Sequence, residues 1–232
     1  MALLKFGGGI TEMRGSIAGN VYSRNRYGAY ARARTKPVNP NTSMQQTIRN
    51  TMSTLRSLWF NTLTAAQRVA WATYAANVNM TNKLGESILL SGYNHFCRSN
   101  AARLYNGVAH VAAGPTTFSL PDIDSALAVS GTADDQKIAT VFTPTDPWAL
   151  EVGAYMFLYM GIPQDATINF FNGPWKRIGY VVGQDPADTS PIEIDSPYPI
   201  AADQKFWVRA RISRADGRLT EYFRDDGVVA AS

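Results

Sequence analysis

The hydrophobic period changes along the chain, and that change limits the folds open to it. Between residues 41 and 110 apolar residues recur every three or four positions, the spacing of one helix face. From residue 125 onward they fall in short runs broken by turn residues, with alternation inside each run; that is a strand pattern. Before residue 41 neither period is sustained. A chain of 232 residues has room for one large or two small domains. The expected architecture is α+β and multidomain. It has an extended basic arm with a β-hairpin over 1–40, a helical domain over 41–110, a linker over 111–124 and a β-sandwich over 125–232.

The arm is rich in glycine and arginine and poor in aliphatic side chains. Gly7, Gly8 and Gly9 form a pliable lead, and Gly15 and Gly19 oppose a helix. Val21, Tyr22, Tyr27, Tyr30 and the Ala-Arg alternation to Arg34 favour strands over 17–24 and 29–35, with Asn25-Arg26-Tyr27-Gly28 as the turn. Period two puts Tyr30, Arg32 and Arg34 on one face of the second strand and Ala29, Ala31 and Ala33 on the other. Lys36-Pro37-Val38-Asn39-Pro40 should run extended. A lone hairpin is marginal in water, so this one should order against another surface, either its own helices or a neighbouring molecule. Arg and Tyr dominate interface hot spots. Arg14, Tyr22, Arg24, Arg26, Tyr27, Tyr30, Arg32, Arg34 and Lys36 are therefore the candidate partner-binding residues.

Charge supports the same emphasis. Residues 1–110 carry 13 Lys/Arg against only Glu12 and Glu86, a net of +11, whereas residues 111–232 carry 9 against 16 acids, a net of −7. A basic segment of this kind meets nucleic acid, an acidic protein, or the acidic half of a second copy; a solvated face is the plain alternative.

Helix signals are local and clear. Thr42…Gln45 or Ser43…Gln46, and again Thr64…Gln67, have capping-box spacing. Met44, Ile48, Met52, Leu55 and Trp59 form one stripe; Val69, Ala70, Trp71, Tyr74 and Val78 follow in a second helix. Residues 79–90 look irregular. Ser91-Gly92 opens a third helix with Tyr93, Phe96, Cys97, Asn100 and Leu104 on one face, ended by Gly107. Trp59 and Trp71 at helical spacing read as core, and Cys97 as a small buried hydrophobe.

After Gly114-Pro115 and Pro121-Asp122, seven strands are expected at 126–131, 137–142, 154–160, 176–183, 191–194, 205–213 and 218–223. Phe206, Val208, Ala210 and Ile212 should face the core, alternating with Trp207, Arg209 and Arg211. Arg214-Ala215-Asp216-Gly217 reads as a hairpin turn. The ending over 205–223 resembles the last hairpin of fibronectin type III domains, which implies an immunoglobulin/fibronectin III-like sandwich that binds or spaces.

Catalytic and metal signatures are missing from the sequence. It has one cysteine and two histidines, His95 and His110, which argues against an internal disulfide, a Cys-rich zinc site or a His cage. No G-x-S-x-G, H-E-x-x-H, P-loop or C-x-x-C occurs. Asp134-Asp135 and Asp225-Asp226 fall in expected turns or the tail. The expectation is a non-enzyme without cofactor or metal. No apolar run is long enough to cross a bilayer, and the opening residues do not read as a signal peptide.

Gly15-Ser16-Ile17-Ala18-Gly19-Asn20-Val21-Tyr22-Ser23, then Tyr27-Gly28, then the run from Arg32 through Pro37-Val38-Asn39-Pro40-Asn41-Thr42, resemble a family of tailed-phage and prophage proteins with a basic N-terminal arm. Gln45-Gln46, Arg49 and Leu63-Thr64-Ala65-Ala66-Gln67-Arg68-Val69-Ala70-Trp71 are similar as well. The resemblance spans about residues 14–105. It implies a bacteriophage virion protein: capsid decoration, minor capsid or head–tail connector. The implied partners are the major capsid protein or other virion proteins, with homo-oligomers and no membrane. Location would be the virion, and host cytoplasm during assembly. A nucleic-acid-binding virion protein touching packaged DNA, and a receptor- or carbohydrate-binding fibre module, are the alternatives.

Overall fold

The computed structural model describes residues 2–230. It is a mixed α+β structure, mostly sheet, with three α-helices.

The N-terminal part is a four-stranded antiparallel sheet. Its strands are β1 (Ala2–Leu4), β2 (Gly15–Ile17), β3 (Asn20–Asn25) and β4 (Gly28–Ala33), in the order β1-β4-β3-β2. The hairpin expected here is β3–β4. Its turn is Asn25 to Gly28, where the Asn25 side chain accepts from the Tyr27 amide at 2.9 Å and Gly28 has φ +124°. The two outer strands are additions to the expected hairpin. Three residues each are too few to show a period, and Gly7–Gly9 looked like pure lead.

Three helices follow: α1 (Ser43–Ser57), α2 (Ala65–Asn77) and α3 (Gly92–Tyr105). The Thr42 side chain accepts from the Gln45 amide, and Thr64 and Gln67 close a reciprocal capping box. A five-residue π-helical turn, Leu58–Thr62, ends α1. Leu55, Leu63, Trp71, Tyr74, Val78 and Phe96 form the helical core. The α1 stripe is only partly core, however. Leu55 is buried, but Met44, Ile48 and Met52 are 43–46% exposed. Amphipathic spacing identifies a face, not what covers it. Residues 79–90 are not irregular throughout: β5 (Asn79–Thr81) and β6 (Ser87–Leu89) pair around a turn held by the Asn82 side chain.

The remaining strands are β7 (Ala128–Thr132), β8 (Lys137–Val141), β9 (Tyr155–Gly161), β10 (Gln164–Asp165), β11 (Trp175–Val182), β12 (Ile192–Asp195), β13 (Gln204–Ser213) and β14 (Phe223–Ala230). Seven run in the order β11-β9-β13-β14-β7-β8-β12, and β10 pairs with β13. A Cβ on Gly179 of β11 would lie 3.4 Å from Ile194 of β12. The two edge strands thus approach each other and the sheet nearly closes. Inside are Ile138, Met156, Leu158, Met160, Phe206, Val208, Ala210 and Ile212, so the alternation expected for 205–213 holds on its inner face.

The last strand corrects the sequence reading. It is 223–230, not 218–223. The turn at 214–217 forms, but only Ser213 and Leu219 bridge beyond it. The carbonyls of Leu219 and Thr220 are occupied by Arg98, and that of Thr220 also by Arg211. The Thr220 amide still donates to the Ile212 carbonyl at 3.0 Å, but the Ile212 amide turns to the Thr220 hydroxyl at 2.9 Å rather than to the carbonyl that Arg98 and Arg211 hold, and the ladder lapses until Phe223.

The helices and the nearly closed sheet are packed together. Arg103 of α3 is 5% exposed. It donates to the carbonyls of Ala109 (2.8 Å), Gly153 (3.3 Å) and Arg214 (3.5 Å) and to the Ser213 hydroxyl (3.0 Å). Residues 111–124, read as a linker, are stitched into this junction. Trp71 donates to the Ala112 carbonyl, Asn100 exchanges hydrogen bonds with Val111, and buried Asp124 accepts from Ala126 and Thr143. A Cβ on Gly114 would sit 2.6 Å from the Ala70–Trp71 backbone. Gly114→Val should therefore open this contact and lower the melting temperature by several degrees, consistent with about 1–3 kcal/mol for overpacking; an unchanged melting curve would contradict the contact.

Candidate functional site

The N-terminal sheet is the surface that the sequence singles out. No residue from 2 to 54 is buried; Leu55 is the first that is. The sheet therefore has two thinly covered faces. Directly opposed residues share a face, and the register sorts them. Leu3, Tyr30 and Ser23 lie on one face with Arg32 and Val21. Leu4, Ala29 and Arg24 lie on the other with Tyr22 and Ala31. The candidate partner residues are thus split between faces: Tyr30 and Arg32 on one, Tyr22 and Arg24 on the other. Arg34 and Lys36 follow the last strand; the Arg34 amide donates to Gly19 at 2.7 Å.

Among the described residues three contacts tie the sheet and the segment after it to the rest of the chain. The Tyr27 hydroxyl accepts from Asn94 at 2.9 Å. Lys5 pairs with Glu86. Beyond β4, Arg49 clamps Asn39 and Asn41 at 2.6 and 2.9 Å. The hydrogen bond from Lys5, aided by Asn82, holds the Glu86 carboxyl below its usual range. Arg14 is taken up by Glu12 at 2.7 Å, and Arg26 lies 5.2 Å from the Tyr27 ring centre. Among the described residues Arg24, Arg26, Arg32, Arg34 and Lys36 have no carboxylate within ion-pair distance. The Lys5–Glu86 pair is open to solvent and contributes little; the partly buried hydrogen bond between Tyr27 and Asn94 is the firmer tie. Lys5 was missed in the sequence because its partner is 81 positions away.

Among the described residues no group of three or more His, Cys, Asp or Glu side chains could hold a metal ion. His95 and Cys97 belong to the helical core: burial pushes the Cys97 thiol up and, with the nearby Arg98 charge, the His95 imidazole down to about 4. No described helix is long and apolar enough to cross a membrane.

A second feature was not legible locally. A groove of about 620 Å³ runs between α1, α3 and the outer face of β9, β11 and β13. Its walls are aromatic and its charged groups are cationic. The only sequence signal was the alternation of Trp207, Arg209 and Arg211 on the face turned away from the sheet's core.

No protein-family model matches the chain, and no curated protein does. Among solved structures, a family 76 glycoside hydrolase from a bovine Bacteroides thetaiotaomicron strain is similar over 47% of this chain and 21% of that chain, at 15% identity and a TM-score of 0.34. This chain spans about a fifth of that enzyme's length, and a superposition at this level bears on neither fold nor activity.

Proposed function

We propose that the protein is a structural, non-enzymatic component of a tailed-phage particle, anchored through its N-terminal sheet to the capsid or to neighbouring subunits. The observation that carries the anchoring is the absence of any buried residue between 2 and 54, together with five cations left without a carboxylate. A sheet with this little core holds its shape best when a second surface covers one face. Arg and Tyr on both faces suit an acidic, polar partner. The phage assignment rests on the resemblance of residues 14–105.

The C-terminal unit is read as fibronectin III-like. Its strand order supports this. Pairing of β7 with β14 is parallel and involves only Val229 with Gly131 and Ala230 with Thr132. Taking that short seam as a boundary leaves β12-β8-β7 and β11-β9-β13-β14, a three-strand and a four-strand half, the division of a two-sheet sandwich. Such a unit would project from the particle or touch the next copy, where repeated weak contacts add by avidity.

Deletion of residues 1–40 tests the anchor. The remainder should keep its helical circular dichroism signal and lose no more than about 1–2 kcal/mol, since no buried side chain and few hydrogen bonds are removed. Incorporation into particles should be abolished. Charge reversal at Arg32 and Arg34 should reduce incorporation more than reversal at Lys83. Normal occupancy of the truncated chain would overturn the proposal. Binding to DNA that weakens steeply between about 50 and 200 mM salt would favour the nucleic-acid reading instead.

A further inference from the structure

The groove between the helices and the sheet has the composition of a ligand site rather than of an incompletely packed junction. Its centre is Arg209 on β13. The guanidinium carbon lies 4.2 Å from the ring centre of Tyr222, 4.8 Å from Trp175 and 5.3 Å from Tyr159. Arg211 lies on Tyr222 as well, at 4.2 Å. Aromatic faces hold a guanidinium by its plane and leave its N–H edge to other partners. For Arg209 those partners are missing: among the described residues its guanidinium makes no hydrogen bond, and its Nε is out of reach of solvent. A buried donor without an acceptor carries a desolvation cost that native structures rarely leave unmet.

Neighbouring charge sharpens the point. Arg98 and Arg211 also line the groove, as does the stem of Lys176, whose ammonium is held by the Pro197 carbonyl and the Tyr198 ring, and among the described lining residues no Asp or Glu appears. Arg98 is occupied by the Leu219 and Thr220 carbonyls and by Glu221, which is itself largely exposed. Arg224 stands directly across from Arg209 on β14. Burial, and then the charge of Arg211, work against the positive charge of Arg209. An anion entering the groove would relieve both. The opposite wall is apolar: Met44 and Ile48 of α1 stand exposed over it, the Met44 sulfur next to the Tyr105 hydroxyl. That exposure is the part of the α1 stripe the helical core does not use.

We propose that this groove binds an organic anion: a carboxylate, sulfonate or phosphate ester carried on a flat apolar body, with its charged head at Arg209 and Arg211 and its body between Tyr105, Trp175 and the Met44–Ile48 edge. The volume fits one small molecule, since such sites usually occupy about 300–1,000 Å³. The site is separate from the N-terminal sheet and stands or falls independently of the anchoring role.

The test is a fluorescence titration of the full chain with dansylate, an aryl sulfonate, and with dansylamide, its neutral counterpart of nearly the same shape. Dansylate should bind saturably, and dansylamide about tenfold or more weaker, the effect of losing one charge-assisted contact. Arg209→Gln should weaken dansylate by a similar factor and leave dansylamide nearly unchanged. Ile48→Asp changes only an exposed side chain, so it keeps the fold; it removes an apolar contact common to both probes and adds a negative charge at the mouth, so it should weaken both and dansylate by several-fold more. Equal binding of the two probes, no saturable dansylate binding below about 1 mM, or full dansylate affinity in Ile48→Asp each overturns the proposal.

Discussion

Arg103→Met should lower the unfolding free energy by about 3 kcal/mol or more, among the largest effects of any single substitution in this chain. The side chain is 5% exposed and donates to three backbone carbonyls and one hydroxyl from three separate segments. Among the described residues no carboxylate lies within ion-pair distance of it, so the acceptors, with the Tyr155 ring 5.0 Å away and the more distant Glu151 charge, stabilise the guanidinium. Methionine fills much of the volume but leaves the Ala109, Gly153 and Arg214 carbonyls short of a donor at a buried junction, and each such loss costs about 1–3 kcal/mol. Arg103→Lys should recover only part of the loss, because an ammonium cannot span the same fork of acceptors. Urea unfolding measures this directly. A loss below about 1 kcal/mol for the methionine variant would mean that the junction is held by apolar packing alone.

Acid should destabilise the protein through His95. The ring is fully buried in the helical core, 5.1 Å from Tyr74; among the described residues neither nitrogen has a hydrogen-bond partner of good geometry, and the nearby Val78 carbonyl offsets the burial only in part. Burial, reinforced by Arg98, pushes its pKa down from 6.5 to about 4. The folded chain therefore refuses a proton that the unfolded chain accepts. The contribution is fully present above the unfolded value of 6.5 and is lost as pH falls through the folded value near 4. At about 1.36 kcal/mol per unit, the loss across that window is about 3 kcal/mol. His95→Phe keeps a ring against Tyr74 and removes the titration. Urea midpoints from pH 7.5 to about 4 should fall more steeply for the natural chain than for the variant; parallel curves would show that the imidazole titrates normally.

The helix that carries both residues was legible in the sequence, but the burial of neither was. His95 lies beside the expected face of Tyr93, Phe96, Cys97, Asn100 and Leu104; the face buried in the structure is His95, Phe96, Ser99, Asn100 and Arg103, because packing against α2 rotates it. Arg103 lies on the same helix, and nothing nearby marks it as different from any surface arginine. Its acceptors come from residues 109, 153 and 213–214, which only the packing of helix against sheet brings together.

The same division runs through the whole protein. Helix starts were legible because caps act within three residues, as at Thr42 and Thr64. The β3–β4 turn was legible because Asn25 and Gly28 have local conformational reasons to be there. The inner face of β13 was legible because strand alternation needs no knowledge of a partner. Strands β1, β2, β5 and β6 were not, being too short to show a period. The end strand begins five residues later than expected because the Thr220 hydroxyl takes the Ile212 amide while Arg98, 122 positions away in sequence, holds the Thr220 carbonyl, so the ladder lapses until Phe223.

Residue order by itself determined the basic, thinly hydrophobic N-terminal segment, the three helices and the alternating strands, because charge, capping and periodicity act over a few neighbouring positions. Tertiary structure alone decided that Tyr30 and Arg32 share one face while Tyr22 and Arg24 share the other. It also decided that residues 111–124 are fastened down, and that three arginines and four aromatic rings converge on one groove. Each of these depends on strand register or on contacts between distant segments, and such contacts are chosen by the packing of the whole chain.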